Sequence, residues 1–339
     1  MGSNPSYADT VVAQQIVNVA GHFAVKGVMG WPGLTASSQA VSILNQANIP
    51  IVSPARYNTL DTAPNLFHSI PSNETEGMLD ATYAEQNLHA HTILVSYTLG
   101  DSSSLGLESG FMQQLKQDGV SDVLATPIAY ASCTEQNATM NCEDNLFTPL
   151  LEKAMQVHPD LIVFTGNASD GNILLKSLAR IALPSTPRVL GRGDLYQLAD
   201  NSVFESPYIQ HLFFTSFAYY EEESVMKMMK DYAASFDVGD SLPPVRAYGY
   251  SKPDNDVIFS YNAMLVLVAS IDSLPSPVTP FSPSDVQQVL AQEQVPIIGA
   301  QQLQTMTFDN LHEPKNVGLL VLQVGSDESI QPFPTTVHS

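Results

Sequence analysis

Short apolar runs rich in β-branched residues alternate with amphipathic stretches along the chain as far as Thr215. This rhythm limits the possible folds more than any other feature of the sequence. The runs fall at residues 25–29, 49–52, 92–95, 123–125, 161–164, 189–190 and 212–215, and Gly, Pro, Ser or Asn bound them. Between them, residues 35–47 place Ala36, Ala40, Ile43, Leu44 and Ala47 on one helical face. Residues 107–117 and 146–157 show similar spacing, and residues 171–181 bring Ile173, Leu174, Leu178 and Ile181 together. Strands alternating with helices are the pattern of an α/β fold with parallel sheets and crossover helices. Continuously apolar strands fit a sheet covered on both faces.

After Tyr219 the rhythm changes. Helices are expected over residues 222–236 and 255–273, then a Pro/Ser stretch over 274–282 and a short helix over 283–291. Residues 304–308 and 318–324, joined by a turn-like segment over 309–316, read as a β-hairpin. Asp9 is the better candidate to cap the first helix, which would run from Thr10, with Ser6 as the alternative. Ser72 before Glu74 and Glu76 suits a helix start, as does the acidic triplet at residues 221–223, which needs no ligand to explain it.

The 339 residues contain 13 Lys and Arg against 34 Asp and Glu, a net charge of −21. A chain so acidic lacks the clustered cations that displace counterions from nucleic acid, and an anionic membrane surface repels it. At 44% hydrophobic and 14% charged residues it has ample material for a packed core. No apolar run reaches the 18 or so residues of a membrane span, and the best, residues 263–271, is far shorter. The first ten residues, MGSNPSYADT, have neither the basic start nor the apolar stretch of a signal peptide.

Cys133 and Cys142 are nine apart in a polar stretch with no His nearby, a poor spacing for zinc. Two readings stand: a disulfide closing a short loop in an oxidising compartment, or two free surface thiols. The disulfide is the expectation, because polar loop cysteines are otherwise a liability. The chain contains no G-x-x-x-x-G-K-[ST] phosphate loop, no H-E-x-x-H and no G-x-S-x-G. Ser224-Val225-Met226-Lys227 matches S-x-x-K but lacks its companion motifs, and Gly191-Arg192-Gly193 is too short for a dinucleotide site. No enzyme activity, metal or cofactor is expected.

Several phrases occur in a telling order. Gly27-Val28-Met29-Gly30 is followed by a loop with Thr35, Ser37 and Ser38, then by Asn48-Ile49-Pro50-Ile51-Val52-Ser53-Pro54-Ala55. Phe67-His68-Ser69-Ile70-Pro71-Ser72-Asn73 comes next, and later Pro159-Asp160-Leu161-Ile162-Val163-Phe164-Thr165-Gly166. Phe308-Asp309 and Val321-Leu322-Gln323-Val324 close the series. From about Ala13 to Val324 the order resembles the type I periplasmic binding proteins, in particular the branched-chain amino-acid receptors of ABC transporters. The resemblance implies two Rossmann-like lobes joined by three crossing strands, with ligand bound between the lobes and closing the hinge. One lobe would comprise residues 1–71 and 218–315, the other residues 72–217 and 316–339. Against the resemblance, the family's first strand-helix-strand, about 60 residues by the usual size of such a unit, has no counterpart here, so two expectations stand: a piece of a longer polypeptide, or a first lobe built without its usual central strand.

The resemblance further implies a small polar ligand, an amino acid or a derivative, and a periplasmic or extracellular location. An ABC permease or a fused signalling domain would read the closed form. Thr35 and Ala55 would hold a ligand carboxylate, and Thr35 lies near an expected helix start, where free N–H groups favour an anion. Thr35, Ser37 and Ser38 equally suit a cap and polar first turn. Tyr57, Ser103 and Asn167 take the positions of ammonium-binding residues, although family members often carry tyrosines at the last two. Asp194 is the candidate acid, or a cap for the turn that follows it. Arg56 favours a more acidic ligand or is an ordinary surface arginine. Trp31, the only tryptophan, either stacks on ligand or packs against Pro32. A degenerate receptor serving as a protein-interaction module is the alternative function.

Overall fold

The computed structural model describes residues 5–23, 25–30, 38–58, 63–119, 124–133, 145–181, 183–195, 198, 208–219, 222–236, 255–274, 281–299, 304–325 and 329–333. In chain order the elements are α1 (Pro5–Phe23), β1 (Val28–Met29), α2 (Ser38–Gln46), β2 (Ile51–Ser53), β3 (Leu66–His68), α3 (Asn73–Gln86), β4 (Thr92–Thr98), α4 (Ser102–Asp118) and β5 (Leu124–Tyr130). There follow α5 (Thr148–Val157), β6 (Leu161–Phe164), α6 (Ala168–Arg180), β7 (Arg188–Gly191), a 3₁₀ turn (Gly193–Leu195) and β8 (Leu212–Ser216). The rest are α7 (Glu223–Phe236), α8 (Asn255–Asp272), α9 (Pro283–Leu290), β9 (Val295–Ile297), β10 (Gln304–Phe308), β11 (Pro314–Lys315), β12 (Leu320–Val324) and β13 (Ile330–Pro332). No helix among the described residues is long and apolar enough to cross a membrane.

Local chemistry sets several of the helix ends. Asp101 caps α4 by accepting from the Ser103 and Ser104 amides, and Gly119 ends that helix at φ 64°. Asn167 caps α6 through the Asp170 amide. Ser282 and Asp285 form a reciprocal capping box on α9. Glu222 accepts from the Ser224 and Val225 amides at 2.8 and 3.3 Å at the start of α7, so one acid of the triplet is a helix cap.

The chain divides into two compact units, Met1–Ser72 with Phe217–Gly318, and Asn73–Ser216 with Leu319–Ser339. The first unit contains a parallel sheet in the order β1-β2-β3 and an antiparallel sheet in the order β11-β10-β9. Ile51 and Leu66 pack with Ala13, Ala40 and Leu44 of α1 and α2. Val52 and Phe67 are buried in a second cluster with Ala263, Val266 and Leu267 of α8 and Val286 and Leu290 of α9. The apolar strands thus have covered faces, as a parallel sheet requires.

The second unit is built on a seven-stranded sheet in the order β13-β12-β8-β7-β6-β4-β5. Strands β4 to β8 are parallel, and β12 joins β8 in antiparallel register. Ile93, Val95, Leu161, Val163 and Leu190 share a core with α3 and α4 through Ala81, Ala84, Phe111 and Leu115. The intervening residues Leu94, Ile162 and Val189 point to the other face and are buried as well. The chain leaves β4 towards β5 on one side and reaches β6 on the other. The order therefore reverses between β4 and β6.

Three sequence expectations need correction. The first helix starts at Pro5, so Asp9 and Ser6 lie within it rather than at its start; proline is favoured at the first helical position because its missing N–H is not needed there. The terminal hairpin does not form. Strand β10 pairs with β9 and β11 in the first unit, whereas β12 pairs with β8 and β13 in the second. Each segment has a strand's composition, but the chain passes from one unit to the other at Gly318, so the two strands find different partners. Strand β5 extends to Tyr130, well past the expected end at residue 125, and tolerates Pro127 because it forms one edge of its sheet.

Candidate functional site

Open parallel sheets present their crevices beyond the carboxyl ends of the strands, at the point where strand order reverses. In the second unit that point lies at Thr98, the last residue of β4, and at Thr165 after β6, and Arg192 follows the neighbouring strand β7. The residues here form a dense polar network. The Ser104 and Thr165 hydroxyls are 2.6 Å apart, and the Ser104 hydroxyl accepts from the Thr98 amide at 2.8 Å. The Tyr130 hydroxyl accepts from Thr98 at 2.7 Å and donates to the Asp170 carboxylate at 3.1 Å. Burial pushes the Tyr130 phenol well above its ordinary pKa, and it stays protonated.

All three positions expected to bind in this unit lie at that end of the sheet. Ser103 is buried in the first turn of α4, where its hydroxyl accepts from the Asn73 side chain at 3.2 Å. Asn167, exposed after β6, uses its carbonyl oxygen as the α6 cap and donates its amide nitrogen to Asp170 at 3.2 Å. Asp194 lies in the 3₁₀ turn after β7, half-buried, with Oδ2 3.2 Å from Arg192 Nε. The Arg192 side chain is only 5% exposed. The sequence reading missed Arg192, Tyr130, Thr98 and Asp170. The spacing Asn167-x-x-Asp170 does mark a helix start, but nothing local marks the contact between Tyr130 and Asp170, 40 residues apart.

The turn that carries Arg192 is held by close packing. A Cβ on Gly191 would meet Leu195 Cδ1 at 2.0 Å, and one on Gly171 would meet Leu195 Cδ2 at 2.7 Å. Leu195 therefore fills a notch that only glycines leave open, and its amide donates to the Arg192 carbonyl at 3.0 Å. This folds the chain back immediately after the strand and fixes where Arg192 and Asp194 begin.

In the first unit, Ala55 and Tyr57 follow β2. The Ala55 amide donates to Ser53 Oγ at 3.2 Å, so a ligand carboxylate at this amide competes with Ser53. Tyr57 is 5% exposed, and its ring stacks on His68 at the end of β3, with centroids 3.4 Å apart. Arg56 between them is half-buried. Trp31 and Thr35 lie outside the described residues. Cys133 is half-buried after β5 and is not a free thiol, and Cys142 lies outside the described residues. Among the described residues no three His, Cys, Asp or Glu gather to hold a metal.

A family model described as periplasmic binding protein matches residues 4–254. No curated protein matches the chain. Solved structures share its fold. A leucine-binding protein from Thermotoga maritima superposes with TM-score 0.68 at 18% identity, covering 96% of this chain and 84% of that one. An ABC transporter substrate-binding protein from Desulfitobacterium hafniense in complex with Leu gives 0.67 at 17% identity, with coverage of 96% and 84%. A solute-binding protein of an ABC transporter from Rhodopseudomonas palustris BisB5, in complex with 3,4-dihydroxybenzoic acid, gives 0.70 at 14% identity, with coverage of 97% and 82%. The chain belongs to the periplasmic binding protein family, whose members are non-enzymatic solute-binding receptors.

Proposed function

We propose that this protein is a receptor for a small polar solute, an amino acid or a related organic acid, and serves ABC-type uptake or signalling outside the cytoplasm. The observation that carries the reading is the set of buried and half-buried polar side chains at the carboxyl ends of β4, β6 and β7, on a chain of this family. Fold relatives bind leucine and 3,4-dihydroxybenzoic acid, which span both ligand classes. Thr35 and Ala55 are the proposed carboxylate contacts. Trp31, Tyr57, Ser103, Asn167 and Asp194 are the proposed contacts to the rest of the ligand. A Cys133–Cys142 disulfide is part of the same proposal and accords with an oxidising compartment.

The local engagement of Ser103 and Asn167 favours a second reading, a protein-interaction module with no small ligand. A thermal-unfolding screen against amino acids and organic acids separates the two. Selective binding to the native state stabilises it by mass action, by about 2.7 kcal/mol at 100-fold over Kd, and so raises the midpoint. A compound-specific rise supports the receptor. A sharp transition that no compound moves supports the interaction module.

A further inference from the structure

We propose that helix α8 is a surface on which two copies of this chain associate, about a two-fold axis through Met264. The proposal does not depend on the receptor reading above. Helix α8 buries one face within the first unit. Ala263, Val266 and Leu267 lie in the cluster with Val52 of β2 and Phe67 of β3, and Ile258 packs with Val225 and Met228 of α7. The opposite face is apolar too. Val257, Tyr261, Met264 and Val268 are between 37% and 44% exposed, and the half-buried Ile271 continues the row. Among the described residues, α3, α4, α5 and α7 each present one exposed large apolar side chain, so the row on α8 stands apart. From Val257 to Ile271 the helix carries no charged residue. A helix that is apolar all round is normally buried all round.

The spacing identifies the occupant as another helix. The five residues recur at intervals of 4, 3, 4 and 3, which is the a/d seam of a coiled coil, and a facing helix fills such a seam by placing knobs into holes. Three observations point to a second α8. First, the seam is symmetric about its centre. A two-fold axis through Met264 sets Tyr261 of one copy against Val268 of the other, and Val257 against Ile271, so all five residues meet apolar partners. Second, Ser260 and Leu265 flank the seam and neither is charged, whereas a foreign helix is ordinarily selected by charges in those positions. Third, the chain carries a net charge of −21, so two copies repel each other overall, and an uncharged strip is where they can meet. A lipid surface fits less well, because a helix lying in a membrane is flanked by Lys and Arg, and this stretch contains neither.

The test is analytical ultracentrifugation of the full chain over a concentration series in physiological salt. The seam is about 21 Å long, short for an interface, so a reversible dimer with a Kd of about 10–100 μM is expected. Val268→Lys is expected to weaken dimerisation at least about tenfold, since each dimer then holds two unpaired ammonium groups in an apolar contact. The same variant is expected to keep the parent's thermal midpoint in dilute solution, where the monomer prevails. Met264→Cys is expected to cross-link to its own copy on mild oxidation, beyond the level of the parent chain. Val268→Cys is not, because the two copies of that position lie about 12 Å apart along the helix axis. If Val268→Lys does not fold, the concentration series and the two cysteine variants decide. A monomer at every concentration up to about 300 μM, as when another polypeptide covers α8, overturns the proposal. So does a dimer that Val268→Lys leaves intact, or cross-linking of Val268→Cys without cross-linking of Met264→Cys.

Discussion

The Tyr130 hydroxyl is hydrogen-bonded to the Asp170 carboxylate at 3.1 Å, and both side chains are buried, at 5% and 3% exposure. The bond ties the end of β5 to the first turn of α6, and Thr98 at the end of β4 completes it. Tyr130→Phe deletes one hydroxyl and leaves two buried partners short of a hydrogen bond. The expected loss is about 1–3 kcal/mol of stability, read from urea denaturation midpoints, with the native fold retained. An unchanged midpoint would mean that water replaces the hydroxyl.

Burial raises the pKa of Tyr83, Tyr130 and Tyr208 above the usual value of 10.0. A phenol whose folded pKa is raised contributes stability that is fully present below its unfolded pKa and is lost as pH rises through the folded one. Stability is therefore expected to fall above about pH 10, with these three phenols ionising only on unfolding. Tyrosinate absorbance during an alkaline titration checks this. Complete ionisation of all 13 tyrosines before the far-ultraviolet circular dichroism changes would refute it.

Helices α3 and α4 meet through glycine. A Cβ on Gly110 would lie 2.0 Å from the Glu74 carbonyl oxygen, and one on Gly77 would lie 2.2 Å from the Leu107 carbonyl oxygen. In an exposed helix, Gly→Ala stabilises by about 1 kcal/mol. Here Gly110→Ala is expected to destabilise by about 3 kcal/mol, since backbone has to move. A thermal midpoint at or above that of the parent would contradict the close approach.

Asn167 is both a proposed ligand contact and the cap of α6. Asn167→Ala is expected to cost about 1 kcal/mol, and Asn167→Ser to recover most of it. Equal midpoints for the two variants would show that the cap contributes little and that the side chain is kept for binding.

Much of this fold is legible where one short stretch decides it. Strand β6 runs from Leu161 to Phe164 as expected, because all four residues are buried and a continuous apolar run announces that environment. Pairing is different. Nothing in residues 304–308 says that their partners are β9, which contains Pro296, and β11 rather than the strand that follows. In the candidate site, Asn167, Ser103 and Asp194 enter only through the resemblance to the family, because no local pattern singles them out. The engagement of each depends on residues elsewhere in the unit, such as Asn73 for Ser103, or on a turn conformation, as with Arg192 and Asp194. Tyr130 has no local signal at all, since its role exists only once β4, β5 and α6 are assembled.

The central claim is that the chain binds a small solute, and isothermal titration calorimetry of the full chain against amino acids and organic acids tests it most directly. The account predicts saturable binding of one molecule per chain with a Kd at or below about 10 μM, equivalent to roughly −7 kcal/mol. Absence of saturable heat for every compound at millimolar concentration, in a protein that still unfolds cooperatively, would contradict it.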